Sequence, residues 1–192
     1  MQIYETQYYT LVVKHNGFID GIVAQTGSVF LDERGYFYEK YNKQFLIDNK
    51  ISFVQENISK SSKGTIRGLH WQSNPNAQDK LVTCLVGEIF DVAVDIRRES
   101  NTFGQYCSQI LKGGENNSLW VPKGFAHGFQ ALSDECIISY SVTNDFSSEC
   151  SKTINPNCPT IGIEWPIEGK ILSENDSKAK VLSELLDEKI FF

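Results

Sequence analysis

The chain has 192 residues, is 41% hydrophobic and 12% aromatic, and therefore fits a folded globular protein rather than a disordered, collagen-like or coiled-coil one. Twenty-four acidic against 18 basic residues give a net charge of −6, which argues against nucleic acid as a partner. No apolar run approaches the roughly 20 residues that cross a bilayer, and residues 1–10 have no basic stretch followed by an apolar one. We therefore expect a soluble cytoplasmic protein with no membrane partner.

Short segments rich in β-branched and aromatic residues, separated by turn signals, indicate that most of the chain is β-structure. In chain order, the predicted strand segments are 27–41, 51–61, 80–98, 103–114, 117–124, 128–133 and 135–145. Helices are predicted at 41–50 and, as an amphipathic segment, at about 177–189. This order predicts an all-β fold, an antiparallel sandwich or barrel capped by short helices, in a single domain over residues 1–192.

The five cysteines are an odd number, widely spaced and without a Cys-x-x-Cys pair. This pattern favours neither a disulfide framework nor a zinc ribbon, and free thiols in a reducing compartment fit it best. The residues are Cys84, Cys107, Cys136, Cys150 and Cys158.

The three histidines are the first candidates for proton transfer, because the ordinary pKa of histidine, roughly 6.5, suits a general acid or base. His15 lies in the polar sequence KHNG and is predicted to be a solvated loop residue. In GTIRGLHWQ, Arg67 and His70 would face opposite sides of a strand unless Gly68 introduces a bulge or turn. The glycines and proline of VPKGFAHGF predict that His127 is presented from a tight turn. A hydrogen-bonded core histidine is the alternative for both His70 and His127.

A metal centre is the next possibility, because β-barrels with a His-x-His pair often hold iron, manganese or zinc. Gln72 stands where the second histidine of such a pair would follow His70, and His127 leaves only two imidazoles. We therefore predict chemistry without a metal. Lys80, at a strand start, and Tyr140, in the apolar run CIISYSV, are further polar candidates, although a surface lysine and a core tyrosine are the ordinary interpretations.

Several long motifs, in the right order and at the right intervals, resemble the dTDP-4-dehydrorhamnose 3,5-epimerase family over about Phe30 to Pro166. They are LDERGYFYE, FVQENISKS, GTIRGLHWQ, QDKLVTCLVGEIFDVAVDIRRES, TFGQY, LWVPKGFAHGF, the strand ending in Tyr140, and IGIEWP. The resemblance implies a cupin-type jelly roll, usually a homodimer, that acts on a nucleotide-linked 4-keto-6-deoxy sugar. It also implies that no cofactor is required.

The resemblance implies a catalytic role for three residues. His70 matches the family's base, Tyr140 its proton donor, and Lys80 the residue near the developing enolate oxygen. The substrate-binding residues that it implies are Arg34, Phe37, Glu39, Gln55 and Asn57 for the nucleotide diphosphate, Arg67 and His127 in the pocket wall, and Glu149 as a further substrate contact. The family often places Arg34 and its neighbours in the partner subunit's site, so an exchanged N-terminal strand would account for a homodimer.

One position departs from the family's pattern. The family usually has an aspartate in a short stretch before IGIEWP, where it orients the catalytic histidine, and here that position is Cys158. Because a thiol is a weak hydrogen-bond partner, we expect His70 to be a poorer base unless Asn157 or Asp91 takes the place of that aspartate.

Three functions remain open at this point. The first is an active epimerase that inverts carbon 3, carbon 5 or both. The second is a single-centre 3-epimerase or keto-isomerase for an unusual dTDP- or GDP-linked deoxysugar. The third is a non-catalytic cupin that binds a sugar nucleotide. Such a protein would bind the ligand without exchanging the hydrogens of the sugar with solvent.

Overall fold

The computed structural model describes residues 4–6, 9–11, 19, 23–168, 170–186, 188 and 190–192, so that His15 lies outside the described part of the chain. The strands are β1 (Tyr4–Thr6), β2 (Tyr9–Leu11), β3 (Val23–Thr26), β4 (Phe30–Asp32), β5 (Gly35–Phe37), β6 (Gln55–Ser62), β7 (Ile66–Gln72), β8 (Lys80–Val86), β9 (Glu88–Asp95), β10 (Tyr106–Lys112), β11 (Asn117–Val121), β12 (Phe125–Ala131), β13 (Glu135–Val142) and β14 (Ser151–Thr153). The helices are α1 (Lys43–Asp48), α2 (Glu174–Lys178) and α3 (Leu182–Leu185).

Two antiparallel sheets form the body of the structure, and β4 and β5 form a separate hairpin. The strand order is β1-β2-β3-β11-β8-β13-β6 in the seven-stranded sheet and β10-β9-β12-β7-β14 in the five-stranded sheet. The non-sequential neighbours show that the chain crosses repeatedly between the sheets. The predicted all-β architecture is confirmed.

Both faces of β9, in the five-stranded sheet, are buried, which explains why its polar and apolar residues alternate so imperfectly. Ile89 and Ala93 face the core between the two sheets, whereas Val92 and Val94 face a second core on the outer side. The C-terminal segment 171–192 covers that second core with side chains that include the buried Leu182 and Leu185 and the partly buried Phe191. The sequence of a strand that is buried on both faces is a run of apolar residues rather than an alternation of polar and apolar ones.

The two predicted helices have different outcomes. Helix α1 lies within the predicted range 41–50 and begins where the Asn42 side chain accepts a hydrogen bond from the Phe45 N–H. The prediction of one amphipathic helix at 177–189 is wrong, because the backbone is extended at Ala179 (φ −62°, ψ 146°) between two shorter helices, α2 and α3. The side chain of Asn155 binds carbonyls at this break, so tertiary hydrogen bonds replace those of a continuous helix.

A bulge in β7 brings Arg67 and His70 to the same side of the sheet. Arg67 pairs with Phe129 and His70 pairs with His127. The two pairs are three residues apart on β7 but only two apart on β12, so β7 has one extra residue there. Gly68 lies in this bulge with φ +137°, a conformation that L side chains rarely adopt. Of the two arrangements that the sequence left open, the structure has the one with a bulge at Gly68, which allows both polar side chains to reach one cavity.

We predict that Gly68→Ala destabilises the fold by at least about 2 kcal/mol, because a Cβ there would lie 2.5 Å from the Cα of Gly128 in addition to the strained φ. Urea denaturation of the wild type and the variant measures the loss. Gly162→Ala is the matched control, since its φ is +67° but the nearest atom to an added Cβ is 3.7 Å away. Equal losses in the two variants would contradict the steric argument.

Candidate active site

A cavity of about 830 Å³ lies between the two sheets, within the size range of small-molecule binding sites. Its walls come from β6, β8 and β13 of the seven-stranded sheet, from β7, β12 and β14 of the five-stranded sheet, and from residues 171–176. Seven of the predicted site residues line it: Gln55, Asn57, Arg67, His70, Lys80, His127 and Tyr140.

His70 is paired with a buried carboxylate. Its Nε2 lies 2.6 Å from Oδ1 of Asp176, and the imidazole is 42% exposed in the cavity whereas the carboxylate is buried. Because an ionised aspartate only accepts hydrogen bonds, this contact assigns the proton to Nε2 and leaves Nδ1 as the acceptor nitrogen of a neutral ring.

Asp176 is held as an anion at this place. Burial alone would raise the pKa of Asp176, but hydrogen bonds from His70, Ser173 and the Gly68 N–H, and the positive charge of the His70 ring whenever that ring is protonated, lower it below its ordinary value. Ser173 also caps α2, since its hydroxyl accepts a hydrogen bond from the Asp176 N–H at 3.1 Å. The carboxylate therefore enters the site from the first turn of a capped helix.

The expectation that Cys158 occupies the position behind His70 is wrong. Its thiol instead lies 3.3 Å from the backbone N of Leu182, at the start of α3. Neither substitute that we considered supports His70, because the side chain of Asn157 accepts from Lys170 and Asp91 binds His127. Sequence reasoning missed Asp176, although its one local signal, a serine three residues earlier in SEND, does mark a helix start.

His127 belongs to a second histidine–aspartate pair. The predicted tight turn is wrong, because His127 lies in the middle of β12, where every residue is buried. Its Nε2 is 2.7 Å from Oδ1 of Asp91, which is fully buried on the neighbouring strand β9. Among the described residues, Oδ2 of Asp91 has no hydrogen-bond partner, so this carboxylate is poorly compensated locally.

Lys80 is buried at the start of β8, and its ammonium donates to the carbonyl oxygen of His70 at 3.1 Å. Burial lowers the pKa of Lys80 to about 8, against the opposing effect of the Asp91 charge. Lys80 is therefore not a surface residue, as most lysines are. The ammonium, the predominant form below about pH 8, is fixed beside the strand that carries His70.

Tyr140 and Arg67 complete the polar wall. Burial raises the pKa of Tyr140, although the nearby positive charge of Arg67 opposes the shift, so the phenol is protonated at neutral pH. Arg67 is itself held in place, since Nε donates to Oγ of Ser61 and Nη2 to the carbonyl of Lys60, both at 3.0 Å. His70 on β7 and Tyr140 on β13 come from opposite sheets.

One end of the cavity carries amides and an exposed aromatic ring. Gln55 donates to Oδ1 of Asn57 at 2.7 Å and accepts from the backbone N of Phe146 at 3.2 Å. Phe146 is 64% exposed and lines the cavity, and sequence reasoning did not select it. Gln72, which breaks the His-x-His pair, donates to the carbonyls of Asn76 and Asp145 and so anchors the adjoining loops.

Four predicted substrate-binding residues lie outside the cavity of the single chain. Arg34 and Phe37 belong to the exposed β4–β5 hairpin, where Arg34 pairs with Asp32. Glu39 accepts from the Asn42 side chain, and Glu149 is exposed.

In the described part of the chain, no group of three or more His, Cys, Asp or Glu side chains could hold a metal ion. No helix there is long and apolar enough to cross a membrane. All five cysteines are buried free thiols.

Comparison with known proteins identifies the family. A family model described as dTDP-4-dehydrorhamnose 3,5-epimerase matches residues 17–184. The chain is 50% identical over 172 residues to an enzyme of that name from Salmonella typhimurium, covering 88% of this chain and 94% of the relative. The chain belongs to the dTDP-4-dehydrorhamnose 3,5-epimerase family.

Solved structures of the family share its fold. A dTDP-6-deoxy-D-glucose-3,5-epimerase from Legionella pneumophila, in complex with dTDP-4-keto-L-rhamnose, superposes with a TM-score of 0.85 at 39% identity, covering 99% of this chain and 96% of that one. A dTDP-4-dehydrorhamnose 3,5-epimerase from Bacillus anthracis, with TDP and pyrophosphate bound, gives 0.82 at 40% identity, covering 90% and 99%. The expected cupin-type jelly roll is confirmed.

Lys80 makes the stability of the fold depend on pH in the alkaline range. Its pKa is about 8 in the folded chain against an ordinary value of 10.5, so between these values the unfolded chain holds a proton that the folded chain has lost. Stability therefore rises with pH across this window. We expect the free energy of unfolding to rise more steeply from about pH 8 to 10 in the wild type than in Lys80→Met, measured by urea denaturation. Parallel curves would show that Lys80 titrates normally.

Proposed function

We propose that the protein is a cofactor-independent epimerase that inverts carbons 3 and 5 of a dTDP-linked 4-keto-6-deoxy sugar. The observation that carries this function is the His70–Asp176 pair facing Tyr140 across one cavity, with the Lys80 ammonium beside it. Family membership and the dTDP sugar bound to the Legionella relative support the substrate class. The five buried free thiols support a location in the cytoplasm, because thiols stay reduced there.

The 4-keto group makes the hydrogens on carbons 3 and 5 acidic, so the reaction begins with removal of one of them by a base. Nδ1 of neutral His70 accepts this proton, the C–H bond breaks, and its electrons form an enolate with negative charge on the C4 oxygen. Asp176 stabilises the imidazolium that results, because its carboxylate is held as an anion 2.6 Å from Nε2.

A cation is needed where the enolate oxygen gains charge, and Lys80 supplies it. Its ammonium is fixed by the carbonyl of His70 and is buried, so its field is only weakly screened by water. The buried Asp91 carboxylate favours the charged form of this lysine. The enolate therefore forms beside a cation that is already in position.

Tyr140 returns a proton to the opposite face of the carbon. It comes from the sheet that faces β7, so a sugar lying between the sheets is open to His70 on one side and to the phenol on the other. Because its pKa is raised, the phenol stays protonated at neutral pH and can donate its proton to the carbanion. Proton removal on one face and return on the other invert the centre and leave an imidazolium at His70 and a phenolate at Tyr140. His70 then gives its proton to solvent and Tyr140 takes one from solvent, which restores both groups for the next inversion.

The polar end of the cavity suits the nucleotide. The amides of Gln55 and Asn57 offer donors and acceptors for a nucleoside. Arg67, held farther along β6 by Ser61, offers the remaining donors of its guanidinium to diphosphate oxygens. The exposed ring of Phe146 gives a flat surface on which a base can stack. The TDP and pyrophosphate bound to the Bacillus relative support a nucleoside diphosphate as part of the ligand.

The exposed β4–β5 hairpin supports a homodimer. Phe30, Leu31 and Phe37 are each more than 60% exposed there, beside Arg34, and a patch of this kind favours a protein interface. The hairpin lies outside the cavity of its own chain, so Arg34, Phe37 and Glu39 serve as binding residues if they reach the site of a second copy.

We predict that His70→Ala abolishes hydrogen exchange at both carbons, whereas Tyr140→Phe keeps deprotonation but impairs reprotonation. Proton NMR of dTDP-4-keto-6-deoxyglucose in deuterated buffer follows the hydrogens on carbons 3 and 5 separately. In His70→Ala both exchange rates should fall by at least about 100-fold, the usual size of a general base effect. Normal exchange in this variant would refute His70 as the base.

The same spectra separate the possible reactions of the wild type. Loss of both signals supports the 3,5-epimerase, and loss of one alone indicates a single-centre enzyme like the Streptomyces bikiniensis 3'-monoepimerase, whose structure superposes with a TM-score of 0.85 at 26% identity. Exchange at neither carbon, with the nucleotide still bound, indicates a non-catalytic binding protein.

We predict that Arg34→Ala and His70→Ala, each inactive alone, complement each other when mixed and re-equilibrated. A dimer of one Arg34→Ala chain and one His70→Ala chain has one site with neither change, so random mixing restores about a quarter of wild-type activity. Native mass spectrometry of the mixture measures subunit exchange independently of activity, because the two variants differ in mass. An inactive Arg34→Ala that gains no activity on mixing would place Arg34 in the site of its own chain, and a fully active Arg34→Ala would place it outside both sites.

A further inference from the structure

The two halves of the His70–Asp176 pair lie 106 residues apart in the chain, so their contact depends on what holds α2 against β7. Helix α2 has five residues, and its only buried residue is Asp176 itself. A helix this short has little stability of its own, and it has no apolar face with which to pack. Contacts from outside the helix must therefore fix it in place.

Asn155 makes three of those contacts. Its side-chain amide donates to the carbonyls of Ser177 and Ala179, each at 3.2 Å, and its backbone N–H donates to the carbonyl of Lys180 at 3.0 Å. These carbonyls lie at or just beyond the C-terminal end of α2, where carbonyl groups lack partners within the helix. One residue thus satisfies the free end of the helix that carries Asp176.

Asn155 is tied equally firmly to the strand that carries His70. The preceding residue, Ile154, exchanges two backbone hydrogen bonds of 3.0 Å with Leu69, the neighbour of His70. Oδ1 of Asn155 accepts from the backbone N of Asn157 at 2.9 Å, which turns the NH₂ group toward α2. The contacts form a closed path from His70 through Asn155 to Asp176.

We propose that Asn155 is a positioning residue that keeps the Asp176 carboxylate on Nε2 of His70 by holding the C-terminal end of α2. The proposal rests on the proposed function only for its kinetic test. Asn155 does not line the cavity, so its effect on turnover passes through Asp176.

The decisive variant is Asn155→Asp, which keeps the size and the acceptor oxygen but replaces the two N–H donors with an oxygen that faces two carbonyls. We expect kcat to fall by at least about tenfold while KM changes less than about threefold, because the cavity walls are untouched. Asn157→Asp is the matched control, since the same amide-to-carboxylate change there keeps the acceptor for Lys170, and its kcat should equal that of the wild type.

A double-mutant cycle separates positioning from a general structural defect. In an Asp176→Ala background, Asn155→Asp should lower kcat less than about twofold further, because the group that it positions is gone. An equally large loss in both backgrounds would overturn the proposal. Asn155→Ala, which removes the donors without adding charge, replaces Asn155→Asp in the cycle if that variant does not fold.

Hydrogen exchange tests the same contact without any assumption about catalysis. Backbone amides in 173–180 should exchange at least about fivefold faster in Asn155→Asp than in the wild type, while those of 117–131 keep their rates. Unchanged exchange in 173–180 would overturn the positioning role. A wild type that exchanges no sugar hydrogen would refute the proposed function and leave this measurement as the test of Asn155.

Discussion

The hydrogen bond between His70 and Asp176 joins the C-terminal segment to the wall of the cavity, and the proposed chemistry depends on it. A buried carboxylate is costly unless it is paired and hydrogen-bonded, and Asp176 has its partners only when α2 lies against the bulge in β7. The bulge at Gly68 supplies an N–H to the carboxylate and turns His70 toward the cavity. Segment 171–192 therefore completes the site and covers the outer core in the same fold.

Acidic and basic groups surround the cavity before any substrate enters. The buried carboxyl groups of Asp91 and Asp176 each contact a histidine of the cavity wall, and the basic side chains of Lys80 and Arg67 line the same cavity. In the proposed reaction a proton moves from carbon to His70, so the positive charge gained on the imidazole matches the negative charge gained on the enolate. The net charge of the site stays constant, and little reorganisation of the surroundings is needed.

The parts of the site that depend on local patterns could be predicted from sequence. The strands follow β-branched and aromatic segments, and Gly68 signalled the bulge because only that residue type tolerates its φ. Asp176 could not be predicted, since its pairing with His70 spans 106 residues and depends on how the C-terminal segment folds back. The turn predicted for His127 failed because its glycine neighbour serves close packing: an added Cβ at Gly128 would lie 2.9 Å from the carbonyl oxygen of Arg67.

The two-sheet architecture also explains how one base and one acid can serve two carbons in the proposed reaction. Carbons 3 and 5 flank the ketone carbon, so their deprotonated forms share a single enolate oxygen. A sugar whose C4 oxygen stays beside Lys80 keeps its charge stabilisation whichever neighbouring carbon faces His70. Because His70 and Tyr140 project from facing sheets, each reorientation about that oxygen meets the same base on one side and the same acid on the other. Whether one or both carbons are inverted then depends on how far the sugar can rotate in the site. The width of the cavity and the contacts that hold the nucleotide limit this rotation.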